Sequence, residues 1–233
     1  MSLTSDSLLQ RRRVPTEAEY LAIPWLALLD GDARAVARRN LVAGNARPGD
    51  LLCRIGRPVT YWFGLIEGLL KMSTDSPEGG TITFTGVAPG GWFGEGTALK
   101  REPYRYNIQA LRASTVAGLP VDTFHWLLDH SIAFNRFVMN QLNERLAQFI
   151  AAREIDRLTN PDVRVARSLA ALFNPVLYPR VGDTLRITQQ ELAYLVGLSR
   201  QRVNEALAHL EAQGAIRVEY GGLRVLDLQA LRA

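Results

Sequence analysis

Residues 187–214 read ITQQELAYLVGLSRQRVNEALAHLEAQG, two helical patterns on either side of a sharp turn. Thr188 followed three residues later by Glu191 is a capping box, and Leu192, Leu195 and Val196 give the helix it opens an apolar stripe. Gly197 supplies a backbone position that a side chain would resist. Ser199 caps the second helix, which carries Val203, Ala206, Leu207 and Leu210 on one face. Arg200, Gln201, Arg202, Asn204 and Glu205 lie on the other, and Gly214 ends the helix. An ordinary αα-corner would show the same pair of helices. The segment after Gly214 separates the two readings: Ile216, Val218 and Tyr220 alternate with Arg217 and Glu219, then come Gly221-Gly222 and Leu223-Arg224-Val225. That is a β-hairpin with a Gly-Gly turn, of the size and place of a wing. A helix-turn-helix succeeded by a wing presents the polar start of its second helix to the DNA major groove.

The chain of 233 residues is long enough for one large or two modest domains with their own cores. Net charge is +4, and 25 of the 27 basic residues are arginine; from residue 159 onward nine arginines face seven acids. That balance suits a phosphate-bearing partner without identifying one. No apolar run reaches signal-peptide or membrane-spanning length, so a cytoplasmic protein with no membrane partner is expected. The single cysteine, Cys53, excludes an intramolecular disulfide and reads as a small buried hydrophobe.

Toward the N-terminus from the helix-turn-helix, Thr184–Ile187 is strand-like and Asn160-Pro161-Asp162 supplies a cap, a first-turn proline and a first-turn acid together. A new helix therefore starts there and runs to Phe173, and the junction is the domain hinge. Before it lies the longest helical pattern, Ile132 to Leu158. Its apolar positions Phe134, Val138, Leu142, Leu146 and Phe149 step by four, four, four and three, with Phe137, Ile150 and Ile155 widening the stripe. A rod of about 40 Å exceeds what a small roll covers, so a second copy of the same helix is the economical partner. Packing on its own domain is the other reading.

Residues 122–130 read as a short helical piece. From Ala46 to about Pro120 short β-rich runs alternate with turn signals: Leu51–Ile55, Tyr61–Ile66, Leu69–Ser73, Thr81–Val87, Tyr106–Leu111 and Thr115–Leu119. Such spacing predicts an antiparallel roll or barrel. A metal-binding roll enzyme would need clustered histidines, and this stretch has none; His125, His130 and His209 all fall in helical segments without ligand-spaced partners. No nucleophile elbow or P-loop is present, so neither catalysis nor a metal site is expected. Residues 21–42 carry short helices broken at Pro24 and Gly31, and residues 1–20 read as a polar, flexible tail.

Taken in order, roll, long helix, hinge helix, helix-turn-helix and wing resemble the Crp/Fnr superfamily of bacterial transcription regulators over about residues 21–226. The pieces ARPGDLLCRIGRP, YWFGLIEGLLKM, GGWFGEG and ITQQELAYLVGLSRQRVNEALAHLE carry the resemblance. It implies an α+β chain with a double-stranded β-roll of the cyclic-nucleotide-binding type (21–130), a dimerisation helix (131–159) and a winged helix-turn-helix domain (160–233). It also implies double-stranded DNA, a second copy of the chain and RNA polymerase as partners. The recognition helices of the homodimer would stand about 34 Å apart on a two-fold symmetric site.

By the same resemblance Gly94, Glu95 and Arg105 hold the places of the family's phosphate cassette. An arginine fork there can pair with a cyclic phosphate and a carboxylate can accept from the ribose. Tyr106, however, stands where a small hydroxyl is usual, and Phe149 and Ile150 occupy the places of the polar pair that meets the purine. Leaving the base unpaired on burial would cost about 1–3 kcal/mol per group. The expectation is therefore no cofactor: Glu95 and Arg105 would form a salt bridge fixing the loop, with another small-molecule effector or a true cyclic-nucleotide response as the alternatives. The base-reading positions fall on Arg200, Gln201, Asn204 and Glu205, with Arg200 suited to guanine and Gln201 or Asn204 to adenine. Glu205 would accept from a cytosine or orient Arg202. Thr188, Gln190, Ser199, Arg202, Arg217 and Arg224 are the expected phosphate contacts. The competing class is a small-molecule receptor whose helix-turn-helix contacts protein.

Overall fold

The structure, a computed structural model, describes residues 12–232. It opens on α1 (Glu17–Leu21), where Thr16 and Glu19 form a reciprocal capping box. A 3₁₀ turn at Pro24–Leu28 comes next, then α2 (Gly31–Asn40), capped by Asp30. The predicted flexible tail is therefore corrected for residues 12–20. The backbone of Arg13 pairs with that of Ala43, and its guanidinium meets Glu19 at 2.5 and 2.6 Å. The Thr-x-x-Glu signature that locates the helix after Thr188 also starts α1. Residues 1–11 of that tail lie outside the described residues.

The roll is two four-stranded antiparallel sheets. One orders β1 (Val42–Ala46), β8 (Ser114–Pro120), β3 (Tyr61–Glu67) and β6 (Trp92–Phe93). The other orders β2 (Leu51–Cys53), β7 (Asn107–Ala110), β4 (Leu70–Asp75) and β5 (Thr81–Val87), and α3 (Glu95–Lys100) lies between β6 and β7. The predicted runs reappear with shifts of a residue or two at their ends; β1, β6 and α3 are additions. The sequence VAGNA of β1 has little strand preference of its own. Its five-residue ladder with β8, Val42↔Gly118 to Ala46↔Ser114, supplies what propensity lacks. Strand β3 shows why the roll has two cores. Phe63 and Leu65 point into the space between the sheets, while Trp62 points out among Trp25, Trp92, Phe124 and Phe134. Trp62 and Trp92 lie 4.3 Å apart, and Trp25 and Phe134 5.2 Å apart.

Helices α4 (Val121–His130) and α5 (Ile132–Ile155) cover this aromatic box. The expected dimer stripe is corrected here. Phe134 and Val138 are buried in their own domain's core, and Leu142 and Phe149 are half-buried against it. Only Leu146 of that set is free, 61% exposed, together with Ile132, Met139 and Ile150. The sequence pattern joined two faces of one helix: an N-terminal half that packs on the roll, and an apolar seam that α5 leaves open.

The C-terminal half comprises α6 (Pro161–Ala171), β9 (Thr184–Leu185), α7 (Gln189–Val196), α8 (Arg200–Ala212), β10 (Ile216–Glu219), β11 (Gly222–Val225) and α9 (Leu228–Arg232). The wing sheet runs β10-β11-β9. Its turn is Tyr220-Gly221 rather than Gly221-Gly222, since Glu219 pairs with Gly222. Gly221 adopts φ 73°, whereas Gly222 is a strand residue: a Cβ there would stand 2.8 Å from the Leu185 carbonyl oxygen of the neighbouring strand. One continuous core runs from the roll interior through α6 to α7 and α8, so the two halves are packed together. No helix among the described residues is long and apolar enough to cross a membrane.

Candidate nucleic-acid interface

Helix α7 starts on its capping box: the Thr188 backbone N–H and hydroxyl both donate to Glu191 at 2.7 and 2.8 Å, and Glu191 N–H donates back at 3.2 Å. Gly197, at φ 71°, turns the chain, and Ser199 accepts from Arg202 N–H at 3.2 Å to open α8. Val203, Ala206, Leu207 and Leu210 are buried beneath α8, so the helix is fixed by one face. Arg200, Gln201, Asn204 and Glu205 are all exposed on the other.

These polar side chains are not equally free. Among the described residues Arg200 makes no ion pair. Asn204 accepts from Gln189 at 2.7 Å, joining α8 to the first turn of α7. Glu205 accepts from Arg202 at 2.6 Å and Gln201 at 3.3 Å; those hydrogen bonds hold its carboxyl below the usual range. Arg202 also reaches back to Asp162 on α6 at 3.0 Å, and His209 meets the same carboxylate at 2.8 Å. A phosphate contact by Arg202 would have to compete with two carboxylates. Thr188 and Gln190 are exposed at the start of α7, and Ser199 is committed to its cap.

On the wing Arg217 and Arg224 sit directly opposite each other in the β10–β11 ladder. Two cations so placed repel, and the strain is relieved on one side: Arg224 bonds Glu219 at 2.8 Å and approaches Asp183 at 3.5 Å. Arg217 is left with no ion pair among the described residues. Tyr220 stands fully exposed at the tip.

The cassette of the roll departs from expectation. Gly94, at φ 84°, lets the chain turn into α3, and Glu95 is buried at the helix start. Glu95 and Arg105 do not pair: Arg105 is 73% exposed and bonds Glu102 at 2.6 Å. Glu95 instead faces Arg145 of α5, whose Nε lies 3.5 Å from Oε1, and neither Glu95 oxygen accepts a hydrogen bond from a described residue. Tyr106 is packed beside this carboxylate; burial, with Glu95 next to it, raises its hydroxyl pKa. Glu95, Arg105, Tyr106, Leu142, Arg145 and Phe149 share a cavity of 290 Å³. Ile150, expected at the same site, is 63% exposed and outside it.

Arg145 and Gln148 are the residues a search for apolar spacing passes over. With Gln141 they step by four and three along α5 and all three are buried, a helix face as periodic as an apolar stripe but written in polar residues. Arg112 is a second such case. Its guanidinium, in the turn before β8, forms a bidentate pair with Glu191, Nε to Oε1 at 2.8 Å and Nη2 to Oε2, linking roll and helix-turn-helix. Among the described residues no three His, Cys, Asp or Glu side chains gather as a metal site.

Comparison with known proteins agrees with this architecture. The family model described as "Cyclic nucleotide-binding domain" matches residues 44–131, and "Crp-like helix-turn-helix domain" matches residues 163–233. The transcriptional regulator SdrP of Thermus thermophilus is 31% identical over 174 residues, covering 73% of this chain and 81% of its own. The CRP-like cAMP-activated global transcriptional regulator of Mycobacterium tuberculosis is 27% identical over 190 residues, covering 76% and 80%. The solved structure of FixK2 from Bradyrhizobium japonicum superposes with a TM-score of 0.66 at 17% identity, covering 82% of this chain and 96% of its own. With both halves matched and the relatives spanned over most of their length, the chain belongs to the Crp/Fnr family of DNA-binding transcription regulators.

Proposed function

We propose that this regulator binds a two-fold symmetric DNA site as a homodimer, reading bases through Arg200, Gln201 and Asn204, with Glu205 orienting Arg202. The observation that carries this is the split of α8: its apolar face is buried and its polar N-terminal face is open, with Arg200 in no ion pair among the described residues. An arginine there can make a bidentate contact to guanine. Arg217 is the wing's phosphate contact, since Arg224 is already neutralised by Glu219 and Asp183. Gel-shift against genomic fragments tests the reading: salt-sensitive binding that Arg200→Ala weakens supports it, and no binding at low salt contradicts it.

The dimer seam is the exposed face of α5. Ile132, Met139 and Leu146 repeat every seven residues and Ile150 stands four further on, with Asn143 between Met139 and Leu146. That is the a/d spacing of a coiled coil, and a polar Asn within it fixes register.

The roll's cavity is not built for a cyclic nucleotide. Arg105, which would take the phosphate, is turned to Glu102; Tyr106 fills the neighbouring space, and Phe149 offers no hydrogen bond to a purine. At 290 Å³ the cavity is at the small end for ligand sites. Calorimetry with cyclic AMP decides this: no heat at micromolar ligand is expected, and micromolar affinity would overturn it.

A further inference from the structure

Tyr178 lies in the segment between α6 and β9, on the DNA-binding side of the Asn160-Pro161 hinge, yet it is completely buried against the roll. Its ring rests on Gly91 so closely that a Cβ there would stand 2.8 Å from ring carbon Cδ1. Its hydroxyl donates to the Gly86 carbonyl at the end of β5 at 2.8 Å. It accepts from Arg145 Nη1 and from Gln148 Nε2, each at 3.2 Å. One donor and two lone pairs are thus all used. A second socket adjoins the first: a Cβ on Gly86 would meet Leu172 and Leu195 at 2.8 Å, side chains of the segment after α6 and of α7. The roll is hollowed at glycines where the DNA-binding half plugs into it.

The same network reaches the cavity. Arg145 Nη2 donates to the Trp92 carbonyl at 2.8 Å and Nη1 to Gln148 at 3.0 Å, while Nε faces Glu95 at 3.5 Å. Two contacts therefore connect the cavity wall to the DNA-binding half through three residues, Glu95, Arg145 and Tyr178. Interiors so packed have discrete arrangements rather than graded ones.

We propose that Tyr178 is a positioning residue that pins the DNA-binding half to the roll away from the hinge, alongside the Gly86 socket and the Arg112–Glu191 pair. The pin sets where α8 stands, and makes that position answer to anything that draws Arg145 from Glu95. A hinge alone leaves the domain one axis of rotation; of the contacts away from the hinge, the pin is the one that also reaches the cavity wall. The inference rests on the reading of this protein as a dimer that spans two half-sites, so its test has one arm without DNA.

In the free protein, Tyr178→Phe removes the hydroxyl and keeps the ring. Amide exchange at Leu177, Tyr178 and Val181 is expected to quicken about tenfold, the loss of one hydrogen-bond set to a charged partner. The β3–β8 ladder is expected to stay protected. Gln148→Met should act in the same direction with smaller amplitude, which guards against a folding defect in the first variant. Unchanged exchange at the three amides in both variants overturns the proposal.

In the second arm, a site selected from random DNA is rebuilt with one or two base pairs added to or removed from its centre. The wild type should discriminate sharply against the altered spacings and Tyr178→Phe about tenfold less. A merely structural role would weaken binding to every spacing alike, and that result, or undiminished discrimination, contradicts the pin. Should the wild type bind none of the sites, the DNA reading fails instead, and the exchange arm decides the pin alone.

Discussion

Arg200 and Arg202 lie two positions apart on α8 and are opposite in circumstance. Arg200 is exposed and in no ion pair among the described residues; Arg202 is held between Asp162 and Glu205. Arg200→Ala should cost about 1–3 kcal/mol of DNA affinity and relax selection at one base position. Arg202→Ala should instead loosen α6 against α8 and weaken binding evenly across sequences; competition binding with single-base variants of the site separates the two outcomes. In the roll, Arg145→Leu leaves Glu95 buried without a counter-charge, and such losses cost about 3–5 kcal/mol. The double variant Glu95→Gln with Arg145→Leu removes the stranded charge, so urea unfolding should find it more stable than the single one. Residues of this kind set the limit of what the sequence reveals. Arg200, Gln201, Asn204 and Glu205 are legible because a helix with one apolar face must expose the other. Arg145, Arg112 and Tyr178 are not, because most of their partners are 30 to 92 residues away along the chain.

Elements were legible where a local signature decides them and obscure where pairing does. The Thr188–Glu191 capping box, the Ser199 cap, the glycine turn and the Asn-Pro hinge mark α6 to α8 to within a residue or two. Strand β1 and the two-residue β6 are made by β8 and β3, and nothing in their own composition announces them. Helix α5 shows the intermediate case: its apolar residues were evident, but not which of two faces each served. Phe134→Ala should lower stability by about 3–5 kcal/mol, since the ring sits inside the tryptophan box, and leave association unchanged. Leu146→Glu combined with Ile150→Glu should leave the fold intact and shift sedimentation to a monomer. A dimer that survives the second variant would contradict the seam.

At the scale of the molecule, roll and DNA-binding half are joined by Tyr178, by the Gly86 socket and by the Arg112–Glu191 pair. The last gives the junction a pH dependence. Burial alone would raise the Glu191 pKa; hydrogen bonds from Arg112 and from the Thr188 backbone and hydroxyl outweigh it and hold it below 4.5. Its contribution is therefore complete above pH 4.5 and is lost as pH falls through the lower folded-state value. Protease sensitivity of the junction should rise in that acid window, and Glu191→Gln should remove the dependence. A wild-type junction that loosens with rising pH would contradict the assignment. In the proposed dimer the sum of these contacts aims two copies of α8 at one duplex, and selection of bound sequences from a random DNA pool measures that aim most directly. The expected product is an inverted repeat whose half-sites lie about one helical turn, about 34 Å, apart. Enrichment of a single unpaired half-site, or of no sequence, would contradict it.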